Sequence, residues 1–236
     1  MNPIGVVDLG RRRYGEVLEL QRELCRRRMT GNLDRDVLLL VEHEPVVTLG
    51  RATRASSLPL PQRALEARGV EVFEVERGGD VTLHAPGQLV AYPIFDLHGW
   101  RLDLHWYLRQ LEETLIRTLD TVGVTAERNP GKTGVWTAGR KIASLGIHVK
   151  QWVTFHGFAL NVSTDLRLFD LIVPCGLHGV TMTSVARELG AAGASADALW
   201  AATREAALRG FETVFERPTE ALSSLEPIRQ GQRSHA

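Results

Sequence analysis

The amino-acid sequence predicts an α+β fold in which one domain is built on a mixed, mostly antiparallel sheet. Strand-like and helix-like segments mix along the chain without the strict strand–helix–strand alternation of a parallel sheet. The chain has 236 residues, 44% of them hydrophobic, which is enough to bury one sizeable core. We therefore expect a single domain over residues 1–216. The turn-rich residues 217–236 are a candidate for a disordered tail.

Three segments have the pattern of helices. Leucines recur at helical spacing through residues 102–123, and residues 14–29 place apolar side chains among Glu and Arg. Residues 195–216 follow the same pattern and begin at a capping residue, either Ser195 or Asp197.

Several short apolar or alternating runs predict strands. They are residues 37–43, 46–51, 70–80 (a strand and then a turn), 89–97, 141–149 and 153–162. The last two are expected to pair. Pro93 lies within one of these runs, and because proline cannot donate to a ladder it should lie at an edge or a bulge.

Composition excludes several classes of protein. The formal net charge is zero and charges of both signs alternate, so no basic nucleic-acid surface is indicated. No apolar run approaches the roughly 20 residues that cross a bilayer, and the N-terminus lacks a signal-peptide core. Two cysteines, Cys25 and Cys175, make neither a disulfide framework nor a zinc motif. We expect a soluble cytoplasmic protein that binds no nucleic acid, no membrane and no metal.

Four stretches are richer in Gly, His and small polar residues than a plain core requires. They are residues 77–93, 131–146, 155–162 and 172–190. In the first, the Gly78–Gly79 pair permits a close approach of backbone to a ligand or a simple hairpin turn. His84 is either a loop histidine with satisfied hydrogen bonds or a site residue.

The other stretches contain a lysine, a histidine and a cysteine in unusual positions. GKT at 131–133 resembles the end of a phosphate-binding loop, but position 126 is Ala where that motif needs Gly, so we reject a nucleotide loop. Lys141 opens an otherwise apolar strand, so it is neutral, paired, functional or solvated at the strand end. Cys175 follows a proline and precedes a glycine, a turn that presents a side chain to a cleft.

Taken in order from Glu42 to Gly190, these motifs resemble the octanoyltransferases of lipoate biosynthesis. The resemblance rests on EHEPVVTLGR, RGGDVTLHAPGQLVAYP, GKTGVW with KIASLGI, HGFALNV, and IVPCG with TSVARELG. Several ordered motifs at compatible spacings are more specific than any one of them. The sequence departs from the family at Ala85 and Ala91, where glycine is usual.

The resemblance implies a fold similar to the catalytic domain of biotin and lipoate protein ligases, and an acyltransferase activity. An octanoyl group would move from the thioester of octanoyl-acyl carrier protein to an enzyme cysteine. It would then move to a lysine on a lipoyl domain, either of a 2-oxo acid dehydrogenase or of the glycine cleavage H protein. No ATP is needed when the donor arrives as a thioester, so no cofactor is expected.

Site roles follow from the resemblance by position. Cys175 would be the acyl-thioester nucleophile and Lys141 its activating partner, with His84 and His156 as rivals for the second role. An ammonium about 4 Å from a thiolate contributes about 4 kcal/mol at an effective dielectric of about 20, or about three pKa units. The expected acyl-site residues are Arg77, Gly78, Gly79, Asp80, Val81, Thr82, Leu83, His84, Ser144, Leu145, Gly146, Gly157, Phe158 and Ala159.

The sequence leaves three other functional hypotheses open. An ATP-dependent lipoate ligase of similar fold would need a nucleotide site and no Cys175. A Cys–His thiol hydrolase would use Cys175 with His178 or His156 and no carrier protein. A non-enzymatic lipoyl-domain binding module would have glycine loops that are only turns.

Overall fold

The computed structural model describes residues 2–173, 179–190 and 195–222. Its strands are β1 Ile4–Arg12, β2 Val37–His43, β3 Val46–Leu49, β4 Glu71–Glu74, β5 Val81–His84, β6 Gln88–Ile94, β7 Glu127–Asn129, β8 Lys132–Thr137, β9 Arg140–Lys150, β10 Val153–Asn161 and β11 Thr219–Ala221. Its α-helices are α1 Tyr14–Met29, α2 Gln62–Glu66, α3 Leu104–Thr121, α4 Val185–Glu188 and α5 Ala196–Phe215. Short 3₁₀ turns occur at Ala55–Ser57, Leu97–Gly99 and Leu166–Leu171.

The strands form two sheets, and both are mixed. The larger sheet has the order β11-β1-β2-β6-β10-β9-β8-β7, and the smaller has the order β4-β3-β5. In the larger sheet β1 runs parallel to β11 and to β2, and the remaining neighbours pair antiparallel. The predicted α+β class with a mostly antiparallel sheet is therefore confirmed, as is the pairing of the strands at 141–149 and 153–162.

Helices cover both faces of the larger sheet, which explains the continuous apolar run of β2. Leu38 and Leu40 pack into the core beneath α3 and α5, whereas Leu39 and Val41 pack on the opposite face beneath α1. A strand covered on both faces needs apolar side chains at every position. Helix α3 begins at Asp103, whose carboxylate accepts hydrogen bonds from two backbone N–H groups of the first turn.

Strand β10 bends at His156, and the bend accounts for Pro93. The sequence predicts Pro93 at an edge or a bulge, but β6 is a central strand between β2 and β10. The ladder between β6 and β10 is interrupted after the pair Ala91–Phe158, where His156 has a positive φ of 57°, and pairing resumes at the bridge between Asp96 and Val153. The proline therefore lies where the ladder is interrupted, and its missing N–H removes no bond from it.

The sequence prediction missed the two strands nearest the chain ends. Strand β1 was not predicted, and β11 falls within the segment predicted as a candidate for disorder. Just before β11, Arg217 places its guanidinium 2.6 Å from the Asp36 carboxylate and 3.7 Å from the centre of the Trp100 ring. Residues 217–222 are thus held against the body of the fold, and residues 223–236 lie outside the described residues.

Within the described ranges, none of the helices combines the length and the apolar character needed to cross a bilayer.

Asp36 is the buried charge that ties several elements together. Its carboxylate contacts Arg28 at 3.1 Å and Arg217 at 2.6 Å and accepts the Asp96 backbone N–H at 2.8 Å. Because Asp36→Ala leaves two guanidinium groups without this buried partner, we expect it to lower the free energy of unfolding by about 3–5 kcal/mol.

The measurement is urea unfolding of the wild type and both variants. Asp34→Ala is the matched control, because the Asp34 side chain is 76% exposed and pairs only at 3.7 Å with Arg35. The control should change the free energy of unfolding by less than about 0.5 kcal/mol. Equal losses in the two variants would refute the structural role of Asp36.

Candidate active site

A cavity of about 240 Å³ opens between β5, β9 and β10. The exposed residues Gly131–Thr133 mark its opening, and the buried side chains of Tyr14, Tyr92 and His84 form its inner wall. The remaining lining residues are Arg77, Gly79, Asp80, Val81, Thr82, Ser144, Leu145, Gly146, His156, Gly157, Phe158 and Ala159. Three stretches far apart in sequence therefore meet at one wall.

Glycines allow the walls to approach this closely. The Gly78 N–H donates to the carbonyl of Ile147 at 2.8 Å, which docks the loop before β5 onto β9. A Cβ atom added at Gly146 would lie 2.9 Å from the Gly78 carbonyl oxygen, closer than the backbone tolerates. The buried Arg77 guanidinium donates to the Thr48 carbonyl at 2.7 Å and to its hydroxyl at 2.9 Å, which fixes the start of the loop.

Asp80 links the cavity wall to the segment that ends at Val173. The Asp80 carboxylate accepts the Val81 N–H and the Ser57 hydroxyl, each at 2.7 Å. The Ser57 carbonyl accepts the Val173 N–H at 2.9 Å. The last described residue before the 174–178 segment is thereby held beside the cavity.

Two buried histidines behind the cavity are neutral. His43 Nδ1 lies 3.1 Å from the Arg12 carbonyl and therefore donates to it, so Nε2 accepts from the Tyr92 hydroxyl at 2.8 Å. Burial lowers the pKa of His43 to about 4. The His84 ring stacks on Tyr14 at 5.9 Å, and burial, followed by the nearby His43, holds its pKa well below the usual value.

His156 faces Glu76 across 3.6 Å at the other side of the cavity. The close contact with His156 is the main cause that lowers the pKa of Glu76 to about 2, and Arg22 adds to it. Burial lowers the pKa of His156 itself. The His156 backbone N–H donates to Gln21 Oε1 at 2.9 Å. This bond helps to hold the positive φ of His156, a backbone conformation that is strained for residues other than glycine.

Lys141 is 1% exposed and lies one strand away from the cavity mouth. Its amine is 5.7 Å from the centre of the Trp136 ring. A Cβ atom added at Gly134 would lie 2.7 Å from Lys141 Cε, so only glycine leaves space for this side chain. The Lys141 N–H and carbonyl bond to Thr181 and Thr183, each at 2.9 Å, so the chain after residue 178 is anchored to this lysine.

This chain is similar to known proteins over most of its length. The profile of the family described as the lipoyl protein ligase A/B catalytic domain matches residues 13–211. An octanoyltransferase of Gloeobacter violaceus is 53% identical over 164 residues, covering 70% of this chain and 72% of that protein. An octanoyltransferase of Geobacter sulfurreducens is 44% identical over 217 residues, covering 92% and 89%.

The chain belongs to the octanoyltransferase family. It is therefore an acyltransferase by family. Among solved structures, a bipartite lipoate protein ligase of Thermoplasma acidophilum has a TM-score of 0.70 at 17% identity, covering 97% of this chain and 90% of that one. A biotin protein ligase of Aquifex aeolicus has a TM-score of 0.51 at 10% identity, covering 91% and 73%. At these identities the likeness shows the fold, which is the ligase catalytic-domain fold expected from the resemblance.

The structure brings most of the predicted acyl-site residues of this octanoyltransferase-family chain together. Of the predicted set, Gly78 and Leu83 do not line the cavity. Gly78 contacts β9 through its backbone, and Leu83 packs into an apolar cluster with Val47 and Phe169 on the other face of β5. Cys175 and the rival base His178 lie outside the described residues.

Other lining residues were absent from the predicted set. The sequence pattern predicts Tyr14 and Tyr92 to be core aromatics on a helix and a strand. Their spacing gives no signal that they belong to a site. His156 was considered only as a rival base, although its place before Gly157 in a strand was a signal. The sequence marks Gly131–Thr133 as a glycine-rich loop with a lysine and as part of a family motif, but not as residues of the acyl site.

The buried His43 makes stability depend on pH. Its folded pKa of about 4 lies below the unfolded value of about 6.5, so the unfolded state binds more protons between them. The contribution is fully present above about pH 6.5 and is lost as the pH falls towards 4, at up to about 1.4 kcal/mol per pH unit.

We expect His43→Gln to reduce the loss of unfolding free energy between pH 6.5 and 4, by up to about 3 kcal/mol. The measurement is urea unfolding at half-unit pH steps. His105→Gln, at an exposed histidine, controls for removing a histidine from the surface. An identical pH slope in wild type and His43→Gln would contradict the neutral, buried state of His43.

Proposed function

We propose that this enzyme transfers an octanoyl group from octanoyl-acyl carrier protein to the lysine of a lipoyl domain, by way of a thioester on Cys175. The acceptors would be the lipoyl domains of 2-oxo acid dehydrogenases and the glycine cleavage H protein, in the cytoplasm. The observation that carries the proposal is the convergence of residues 77–84, 144–146 and 157–159 on one cavity. The choice of octanoyl as the transferred group rests on the relatives, which are octanoyltransferases.

The ends of the segment that holds Cys175 support its role. Val173 is bonded to Ser57, whose hydroxyl bonds the cavity residue Asp80, and Thr181 is bonded to Lys141. Because two residues of extended chain span at most about 7 Å, Cys175 can lie no farther than that from Val173, which is bonded to Ser57. A thiolate there would attack the acyl donor.

The chemistry divides into two balanced steps. In the first, the Cys175 thiolate, paired with the Lys141 ammonium, attacks the donor carbonyl, the bond to the carrier sulfur breaks, and the carrier thiolate takes a proton from solvent. Once Cys175 is acylated its negative charge is gone, so Lys141 can release its proton to solvent. In the second, the neutral amine of the substrate lysine attacks the enzyme thioester, an amide forms and the Cys175 thiolate leaves. Lys141 takes the proton that the attacking amine loses, and its ammonium again pairs with the thiolate.

The decisive experiment follows the enzyme-bound acyl group. The protein is incubated with octanoyl-acyl carrier protein without ATP, and intact and peptide masses are recorded. We expect one octanoyl group on the peptide that contains Cys175, and we expect lipoyl domain to remove it. Cys175→Ser should lose transfer, because an alcohol is a poor nucleophile without a strong base. The control Cys25→Ser removes a thiol that is buried in the core, with its pKa raised by burial to about 11, and should remain active.

The same experiment separates the rival functions. Full transfer activity in Cys175→Ser would rule out a thioester intermediate on Cys175. A strict requirement for ATP with free octanoate or lipoate indicates a ligase instead. Release of free octanoate or peptide products without any carrier protein indicates a thiol hydrolase. Tight binding of lipoyl domain without transfer indicates a binding module.

Lys141 is expected to act in both steps, and its variants separate them. Lys141→Arg keeps the charge but cannot lose its proton at accessible pH, so Cys175 should acylate while transfer to the lipoyl domain becomes slow. Lys141→Ala should impair both steps. Single-turnover acylation and transfer measure the rates, and iodoacetamide alkylation of Cys175 against pH measures thiolate formation. If Lys141→Ala leaves the alkylation midpoint unchanged, Lys141 does not activate the thiol, and His84 or His156 becomes the candidate.

A further inference from the structure

Two buried amide side chains connect His84 to the strand that carries Lys141. Gln88 Oε1 lies 3.0 Å from His84 Nδ1, and Gln88 Nε2 donates to Asn161 Oδ1 at 3.0 Å. Asn161 Nδ2 donates in turn to the Thr183 carbonyl at 2.9 Å, and the Thr183 N–H donates to the Lys141 carbonyl at 2.9 Å. Gln88 and Asn161 are 1% and 2% exposed, so water does not compete for these bonds.

Backbone carbonyls fix the direction of every hydrogen bond in this relay. A carbonyl only accepts, so the Thr183 carbonyl requires the amide nitrogen of Asn161 to face it, and Asn161 Oδ1 must then accept from Gln88. The Leu83 carbonyl, 3.0 Å from Gln88 Nε2, imposes the same orientation on Gln88 independently. Neither amide can be reversed without placing an oxygen against an oxygen.

The orientation of Gln88 in turn fixes the tautomer of His84. Gln88 Oε1 faces the ring, so His84 Nδ1 must carry the proton and donate. Because the buried ring is neutral, its Nε2 has a lone pair and no proton. Among the described residues a hydrogen bond is seen only at Nδ1 of this ring, and His84 lines the cavity. The cavity wall therefore presents a hydrogen-bond acceptor that an octanoyl chain, which has no donor, cannot use.

We propose that Gln88 and Asn161 are positioning residues that hold His84 as the Nδ1–H tautomer, and that His84 Nε2 accepts an N–H group of an incoming substrate. This inference rests on the proposed function for the identity of the substrate. Two sources offer that N–H: an amide of the pantetheine arm of the donor, and the amine of the acceptor lysine. Both meet the enzyme beside the acyl cavity.

The relay also fixes the spacing between the acceptor and Lys141. Its chain from His84 through Gln88 and Asn161 ends on the backbone of Thr183, which pairs with Lys141. Breaking the relay should therefore weaken the binding of a substrate N–H group at His84. It should have a smaller effect on the binding of the acyl chain in the cavity.

Nitrogen NMR of wild-type protein labelled with ¹⁵N-histidine tests the tautomer directly and requires no activity. Protonated and unprotonated ring nitrogens have widely different ¹⁵N shifts, and the signals of His84 are those lost in His84→Phe, which keeps a ring against Tyr14. We expect a protonated Nδ1 and an unprotonated Nε2 at neutral pH. A protonated Nε2 overturns the inference. In Gln88→Leu the constraint is removed, and Nε2 should gain proton occupancy.

Kinetics identify the source of the N–H group. Gln88→Leu and His84→Phe should each slow one step by about tenfold, equal to about 1.4 kcal/mol, the size of one hydrogen bond. Gln62→Leu, the same substitution at an exposed glutamine, is the control.

If the loss appears in acylation by octanoyl-acyl carrier protein but not by a short octanoyl thioester without amides, the pantetheine arm is the source. If it appears only in transfer to lipoyl domain, the lysine amine is the source. Wild-type rates in both steps overturn the acceptor role of His84. Absence of any Cys175 acylation in the wild type refutes the proposed function instead, and leaves the NMR result standing.

Discussion

The bend in β10 at His156 and Gly157 is the constraint on which the site depends. A Cβ atom added at Gly157 would lie 2.1 Å from the Ala91 carbonyl oxygen. Strand β10 can therefore approach β6 this closely only if residue 157 is glycine. The bend interrupts the β6–β10 ladder beside Pro93 and places residues 157–159 in the cavity wall. The positive φ of His156 is held in place by Gln21 on α1, so packing of the first helix sustains the bend.

Around this bend the cavity combines apolar surface with polar groups whose directions are already set. His43 and His84 are kept neutral by burial, and backbone carbonyls determine which of their nitrogens carries the proton. The Arg77 charge is directed to the Thr48 carbonyl and hydroxyl. Such a wall suits an uncharged acyl chain with a polar reacting end, because these polar groups are already oriented before the substrate arrives.

The sequence predicted the regular elements that carry a strong local pattern. The Leu periodicity of α3 and the two-sided apolar run of β2 were sufficient for those elements, because burial dictates each position. Strand β11 was missed because three residues carry no periodicity, and its position depends on tertiary contacts such as the pairing with β1 and the Arg217–Asp36 ion pair. The family resemblance predicted that three segments of the chain contribute to one site. The places of Tyr14 and of the Gln88–Asn161 relay depend on tertiary contacts, which no local spacing in the sequence encodes.

We propose that the cavity between β5, β9 and β10 holds the acyl chain. The most direct measurement is photo-crosslinking with octanoyl-acyl carrier protein whose acyl chain ends in a diazirine, followed by peptide mapping. We expect labels within residues 77–84, 144–146 and 157–159, and we expect unlabelled octanoyl donor to compete with the labelling. Labels confined to the separate groove between Leu166 and Arg187, or spread over the surface without competition, would contradict it.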